Sequence, residues 1–210
     1  MRKLAVLAAV LAAGCASAPS VDLEEPRRVV ATEEKVRIDA QIFGDVLQQS
    51  SSIRMTYDIT NERATPIAIA DIIPEASYDP ETQTVTVTIG SEVPGAQLLP
   101  RLVAIGPGEK KNFSAVARVT ILMGSTATPL TRFPNALRLK VNFLNDTEPF
   151  RQLIGIQERA VASPTLADEL FPKWLEKNET LYTNTVPMRW RGTGPDDMMG
   201  GRTRRPPRRG

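Results

Sequence analysis

Five arginines stand within eight residues near the end of this 210-residue chain: Arg202, Arg204, Arg205, Arg208 and Arg209. Guanidinium forks take carboxylate or phosphate oxygens two at a time, so the cluster is a candidate anion-binding element. Acid–base chemistry would fall to carboxylates. Glu75, Asp79 and Glu81 surround Tyr78 and Pro80, and Asp71 lies in phase with Ile67, Ile69 and Ile73. Paired carboxylates could serve glycoside hydrolysis or hold a hard cation. The plainer reading makes Asp79-Pro80-Glu81 a solvated turn. It leaves Asp71 satisfied by a backbone N–H or turned outward by a bulge. There is no histidine and a single cysteine, Cys15. The usual zinc and copper ligands are therefore missing, and Ser–His–Asp and Cys–His catalysis are excluded. We expect no catalytic residues, no metal and no cofactor.

Cys15 has its own context. Met1-Arg2-Lys3 is a short basic start, Leu4 to Ala13 is unbroken apolar sequence, and Ala12-Ala13-Gly14-Cys15 ends it. About ten apolar residues suit the core of an export signal, whereas a membrane-crossing helix needs about twenty. The segment resembles the signal peptide of a bacterial lipoprotein, with Ala12 where such a motif usually carries leucine. The resemblance implies cleavage before Cys15, acylation of Cys15 (palmitate among the acyl chains) and a membrane anchor. Cleavage after Ala16-Ser17-Ala18 would leave Pro19 beside the cut, which fits a protease cleft poorly. Ala16 and Ser17 follow the cysteine with no aspartate directly after it. By resemblance to enterobacterial lipoproteins, this implies the outer membrane, facing the periplasm. An acylated Cys15 leaves no disulfide, so the fold must stand on its core alone.

Charge divides along the chain. The net +2 contains +2 from Arg2 and Lys3 and +5 from residues 189–210, so the stretch between carries −5. An acidic body with a basic tail suggests a charged partner for the tail. In an envelope the anions would be lipid headgroups, lipopolysaccharide phosphates, cell-wall carboxylates or an acidic protein. Nucleic acid conflicts with the export signal. The Asn-x-Ser/Thr triplets at Asn112, Asn145 and Asn178 read as chance matches in such a protein.

The elements that must position these groups read as strands. Apolar content is 41% with only 5% aromatic, so the core is mainly aliphatic. Val36, Ile38, Ala40 and Ile42 alternate with Arg37, Asp39 and Gln41. Ile53, Met55, Tyr57 and Ile59 alternate with Arg54, Thr56 and Asp58. Similar runs follow at Ile67–Ile73, Val85–Ile89, Leu98–Ile105, Phe113–Ile121, Leu137–Phe143 and Phe150–Ile156, divided by Pro, Gly and Asn turns. The threonines between Val85, Val87 and Ile89 suit an exposed strand face. The pattern predicts a mainly β fold, an antiparallel sandwich of about seven or eight strands over residues 35–158. Ile105-Gly-Pro-Gly-Glu109 before Phe113, and Tyr57-Asp-Ile-Thr-Asn61, resemble corners of bacterial immunoglobulin-like domains. That resemblance implies an immunoglobulin-like sandwich and no particular activity.

Around this domain we expect a signal peptide (1–14), a lipidated N-terminus and tether (15–34), a helical extension (159–188) and a disordered Arg-rich tail (189–210). Ser163-Pro164 opens the helix, with Leu166, Leu170, Trp174 and Leu175 near one face. Pro172 should split it into pieces near 165–171 and 172–180. The apolar face could bind a partner or a membrane, but docking on the sandwich is the simpler expectation. Together these readings predict an anchored, non-enzymatic interaction or assembly module with an envelope protein partner. The alternatives are an anion-binding tether acting through the tail and a carboxylate-based envelope enzyme.

Overall fold

Alternating apolar residues produce strands here because a pleated chain sends successive side chains to opposite faces. The computed structural model describes residues 27–95, 97–122 and 132–192. The first strands are β1 (Arg27–Glu33), β2 (Val36–Phe43), β3 (Val46–Leu47), β4 (Ser50–Asn61) and β5 (Ile67–Ala70). Then come β6 (Glu75–Asp79), β7 (Thr84–Ile89), β8 (Leu98–Pro100), β9 (Leu102–Ile105), β10 (Lys110–Thr120) and β11 (Ala136–Leu144). A 3₁₀ turn (Glu148–Leu153), β12 (Ala160–Ala162) and helix α1 (Pro164–Lys177) follow, then β13 (Asn178–Tyr182), β14 (Val186–Pro187) and β15 (Arg189–Trp190).

The protein is mainly β, built on a multi-strand mixed sheet. The order is β1-β2-β4-β10-β6-β7-β11-β5-β9, with β13 and β14 also on β11. The β10–β6 junction is a single bridge, Arg118 to Glu75. At the other end, Val30 N–H donates to Asn184 Oδ1 (2.7 Å), so the first strand meets the last part of the chain. The sheet therefore curls round one core. Val36, Ile38, Ala40, Ile42 and Ile59 are fully buried in it beside Val85, Val87, Leu137, Leu139 and Val141. The expected inward phases of β2 and β4 hold.

The expectation of purely antiparallel pairing does not. β7 runs parallel to β11 over Thr84–Ile89, and β6–β10 and β3–β15 are parallel too. Parallel neighbours need a long crossover. The chain between Ile89 and Ala136 supplies one. β7 thus lies between β6 and β11, which buries Thr84 and half-buries Thr86 and Thr88 rather than exposing a threonine face. Gly90 ends β7 with φ +73°, and a Cβ there would sit 2.3 Å from the Asn142 carbonyl oxygen. Only glycine fits so close a backbone approach at that angle.

Five segments differ from expectation. Residues 27–33, within the expected tether, form β1, because Val29 and Ala31 alternate inward and pair along β2. The β1–β2 turn uses Glu34 and Lys35 at positive φ (45° and 65°), without the Asn-Gly that marks such turns in sequence. Leu98–Ile105 breaks at Arg101 into β8 and β9, which pair with β12 and β5. Phe150–Ile156 is no strand. Pro149 opens the 3₁₀ turn Glu148–Leu153, which buries Phe150 and Leu153 on one side. The expected helical extension contains three strands, β12, β13 and β14, and the expected disordered tail begins with β15, held by hydrogen-bonded ion pairs from Arg189 to Asp45 (Nε–Oδ2 2.8 Å, Nη2–Oδ1 2.9 Å).

Helix α1 is continuous through Pro172. Leu170 and Trp174, on either side of it, are buried in one cluster with Leu99, Leu102, Leu144, Phe150 and Leu153. That packing offsets the hydrogen bond which proline removes. The helix face docks on the fold, as expected, while Leu175 stays half exposed. Ser163 stands at the N-cap without a side-chain hydrogen bond.

Candidate interaction surface

The residues singled out in the sequence fall into two groups. Cys15 and the arginines 202, 204, 205, 208 and 209 lie outside the described residues. The carboxylates lie inside, and three of the four are engaged. Asp71 follows the end of β5 and forms an ion pair with Arg101, whose Nη1 also donates to the Gln157 carbonyl (3.3 Å). Asp79 accepts from Glu81 N–H (2.9 Å) and Thr82 Oγ1 (2.7 Å), shaping its turn. Glu81 pairs with Arg132 at 3.3 Å. Glu75 is exposed on β6. The structure does not bring these four together. Among the described residues no group of three or more Cys, Asp or Glu side chains could hold a metal ion.

What the fold does assemble is the outer face of β1, β2, β4 and β10. Its distal half is polar. Asp39 on β2 stands opposite Asp58 on β4, and Asp58 stands opposite Asn112 on β10. Two carboxylates directly across a strand pair repel. Each is compensated by cations. Arg28 Nε donates to Asp39 (2.8 Å) and Arg37 adds a second contact (3.1 Å), while Lys110 and Asn112 hold Asp58. The Arg28 hydrogen bond is the main reason that Asp39 is pulled down to about 2. Lys110, then Asn112, hold Asp58 below the ordinary range. A shallow hollow of about 270 Å³ lies over Arg28, Asp39, Gln41, Thr56, Asp58 and Asn112. It offers fixed donors and acceptors of both signs, which suits a polar partner and supplies no unpaired acid or base.

The proximal half of the same face is apolar. Phe43 stands opposite Arg54, and Arg54 stands opposite Val116. A cavity of about 520 Å³ there is lined by Phe43, Arg54, Ala115 and Val116. A second of about 800 Å³ continues over Ile73, Pro74, Val116 and Arg118. Val116 borders both, so they form one trough. Sequence reasoning missed it, although a signal existed. Phe43 continues the outward phase of Arg37, Asp39 and Gln41, and Val116 sits in the outward phase of Ser114 and Arg118. Each is apolar where the alternation calls for a polar residue.

Tyr57 closes the seam beneath this face. It is 7% exposed and stacks on Phe113 with ring centroids 5.1 Å apart. Burial, and secondarily the Asp71 carboxylate, push its phenol up to about 12. Folding therefore favours the neutral phenol. Stability from this group is complete below pH ~10 and is lost as pH rises toward 12, at about 1.4 kcal/mol per pH unit. Urea midpoints measured from pH 9 to 11.5 should fall more steeply for the parent than for Tyr57→Phe. Superimposable pH profiles would refute the assignment.

Comparison with protein-family models, with curated proteins and with solved structures found no match to this chain.

Proposed function

We infer that this chain is a lipid-anchored envelope protein that works as a non-enzymatic interaction or assembly module. Cys15 carries the anchor, residues 16–26 space the fold from the membrane, and an immunoglobulin-like sandwich presents its outer face to an envelope protein. The carrying observation is the apolar segment ending in Ala12-Ala13-Gly14-Cys15, with the chain's single cysteine at its end. A mainly β fold whose strands bury one aliphatic core supports the sandwich reading. The polar hollow supports the binding role, since its fixed donors and acceptors of both signs suit recognition of another protein's polar surface. The test is crosslinking in the native cells, comparing the parent with a Gln41→Lys/Asp58→Lys variant. A defined protein captured by the parent and lost in the variant supports the reading; capture of the same protein by both removes the face from it.

A second reading is favoured by the arginine cluster at 202–209: the tail itself tethers the protein to cell-wall or lipopolysaccharide anions. The cut for testing it belongs after Gly192, because Arg189 and Trp190 are part of the fold. Binding of the parent to purified cell wall or lipopolysaccharide should weaken as salt rises, because screening shortens to ~3 Å at 1 M. Residues 1–192 should bind at least tenfold more weakly. Equal binding by both forms would remove the tail from the mechanism.

A further inference from the structure

We propose that the end of the fold where β1 begins is a lipid-docking surface that seats on anionic phospholipid headgroups, an inference whose orientation rests on the anchored reading. Of the ten large apolar side chains exposed among the described residues, Phe43, Val46, Ile73, Val116 and Leu122 gather at this end. Register brings them there. Arg27 at the start of β1 stands opposite Ile42, next to Phe43, and Phe43, Arg54 and Val116 lie in one row across β2, β4 and β10. The parallel bridge from Arg118 to Glu75 brings Ile73 level with Val116. Leu122, 81% exposed, follows Ile121, whose N–H donates to the Gln49 carbonyl (2.8 Å). Val46 stands opposite Arg189.

Charge at this end has one dominant sign. Arg54 and Arg118 are exposed within the apolar trough and Arg27 and Arg189 stand beside it, against two carboxylates, exposed Glu75 next to Arg118 and Asp45 paired with Arg27 and Arg189. Arg191 N–H donates to the Leu47 carbonyl (2.8 Å), which places a further exposed arginine at this end. The opposite end mixes the signs: Glu33, Glu34, Glu62 and Glu109 are exposed there beside Lys35 and Lys110, and Arg63 pairs with Glu34 and Glu179. An anionic surface therefore favours the first end over the more balanced second. Apolar side chains among guanidinium groups suit the headgroup boundary, where the former enter the acyl region and the latter take phosphate oxygens. Eleven residues separate Cys15 from Arg27. Even fully extended they span at most ~40 Å, so an acylated Cys15 holds this end close to the bilayer. Proximity, charge polarity and exposed apolar groups coincide at one end, and together they favour a lipid surface as its occupant.

The test uses the chain from position 15 onward with Cys15→Ser, which contains every described residue and carries no acyl group. It is sedimented with vesicles of phosphatidylethanolamine and phosphatidylglycerol, and with phosphatidylcholine vesicles, at about 0.3 M salt to screen the tail. The parent should bind the anionic vesicles and bind the neutral ones at least tenfold more weakly. Phe43→Glu/Leu122→Glu should lower anionic binding at least tenfold with an unchanged melting temperature. Arg54→Glu/Arg118→Glu provides a second variant pair should the first melt lower. No sedimentation of the parent overturns the proposal. Equal binding by parent and variants also overturns it, by assigning binding to the tail. Dimers that vanish in the same variants without vesicle binding would assign the face to a second copy. Acylation of Cys15 is tested separately in cells, so failure here and failure of the anchor are distinguishable.

Discussion

Trp174→Ala is expected to destabilise the fold by about 3–5 kcal/mol, the usual cost of removing a large buried aromatic. Trp174 is 1% exposed and meets Phe150 edge-on, with ring centroids 5.5 Å apart at 75°. Its Nε1 donates to the Ser91 carbonyl (3.2 Å), which loses that partner in the variant. Trp174 also joins three segments distant in sequence: α1, the Glu148–Leu153 turn and the loop after β7. Its loss leaves a cavity in the smaller of the two clusters of buried apolar residues, whose other members are too few to collapse into it. For a domain of this size the change corresponds to a melting temperature lower by about 8–15 °C. Trp174→Phe keeps most of the volume and should cost less than half as much. The measurement is urea unfolding of both variants. A change below about 1 kcal/mol for Trp174→Ala would mean that α1 is not held by this residue.

Cys15→Ser is expected to abolish incorporation of labelled palmitate and to move the protein out of the outer-membrane fraction. The physical reason is the size of the lost term. Each buried methylene of an acyl chain contributes about 0.8 kcal/mol, and stable anchoring takes two signals, such as two acyl chains or one chain with a basic patch. Removing the acyl group therefore outweighs anything the surface of the fold can supply. The docking face and the arginine tail would leave only a weak association that washes off at high salt. Fractionation should be read beside the labelling, because an uncleaved export signal can itself hold the precursor at a membrane. Undiminished labelling of Cys15→Ser would refute the anchor.

Much of the strand pattern was legible because burial is local where one sheet face is wet and the other dry. Val36 to Ile42 and Ile53 to Ile59 announce their inward sides by period two alone. Helix α1 was legible by its face, yet its continuity was not, because Pro172 is tolerated only through contacts that Leu170 and Trp174 make far away in sequence. β1 was hidden by its turn. Glu34 and Lys35 adopt positive φ without glycine or asparagine, which local sequence rules do not anticipate. The 3₁₀ turn at Glu148–Leu153 was read as a strand because short apolar runs are ambiguous between strand and helix.

By itself the sequence determined the chemistry available to this protein: no imidazole, one thiol placed just after a run of apolar residues, and arginines gathered in one short stretch. It also determined which strand faces turn inward, since alternation is a property of neighbouring residues. Only the tertiary structure decided which strands are neighbours, that β7 and β11 run parallel, and that Asp39 and Asp58 stand opposite each other. It alone gathered Phe43, Ile73, Val116 and Leu122 at the end where β1 begins. Those facts depend on pairing register between segments tens of residues apart, and register is selected by the whole core at once rather than by any local stretch of chain.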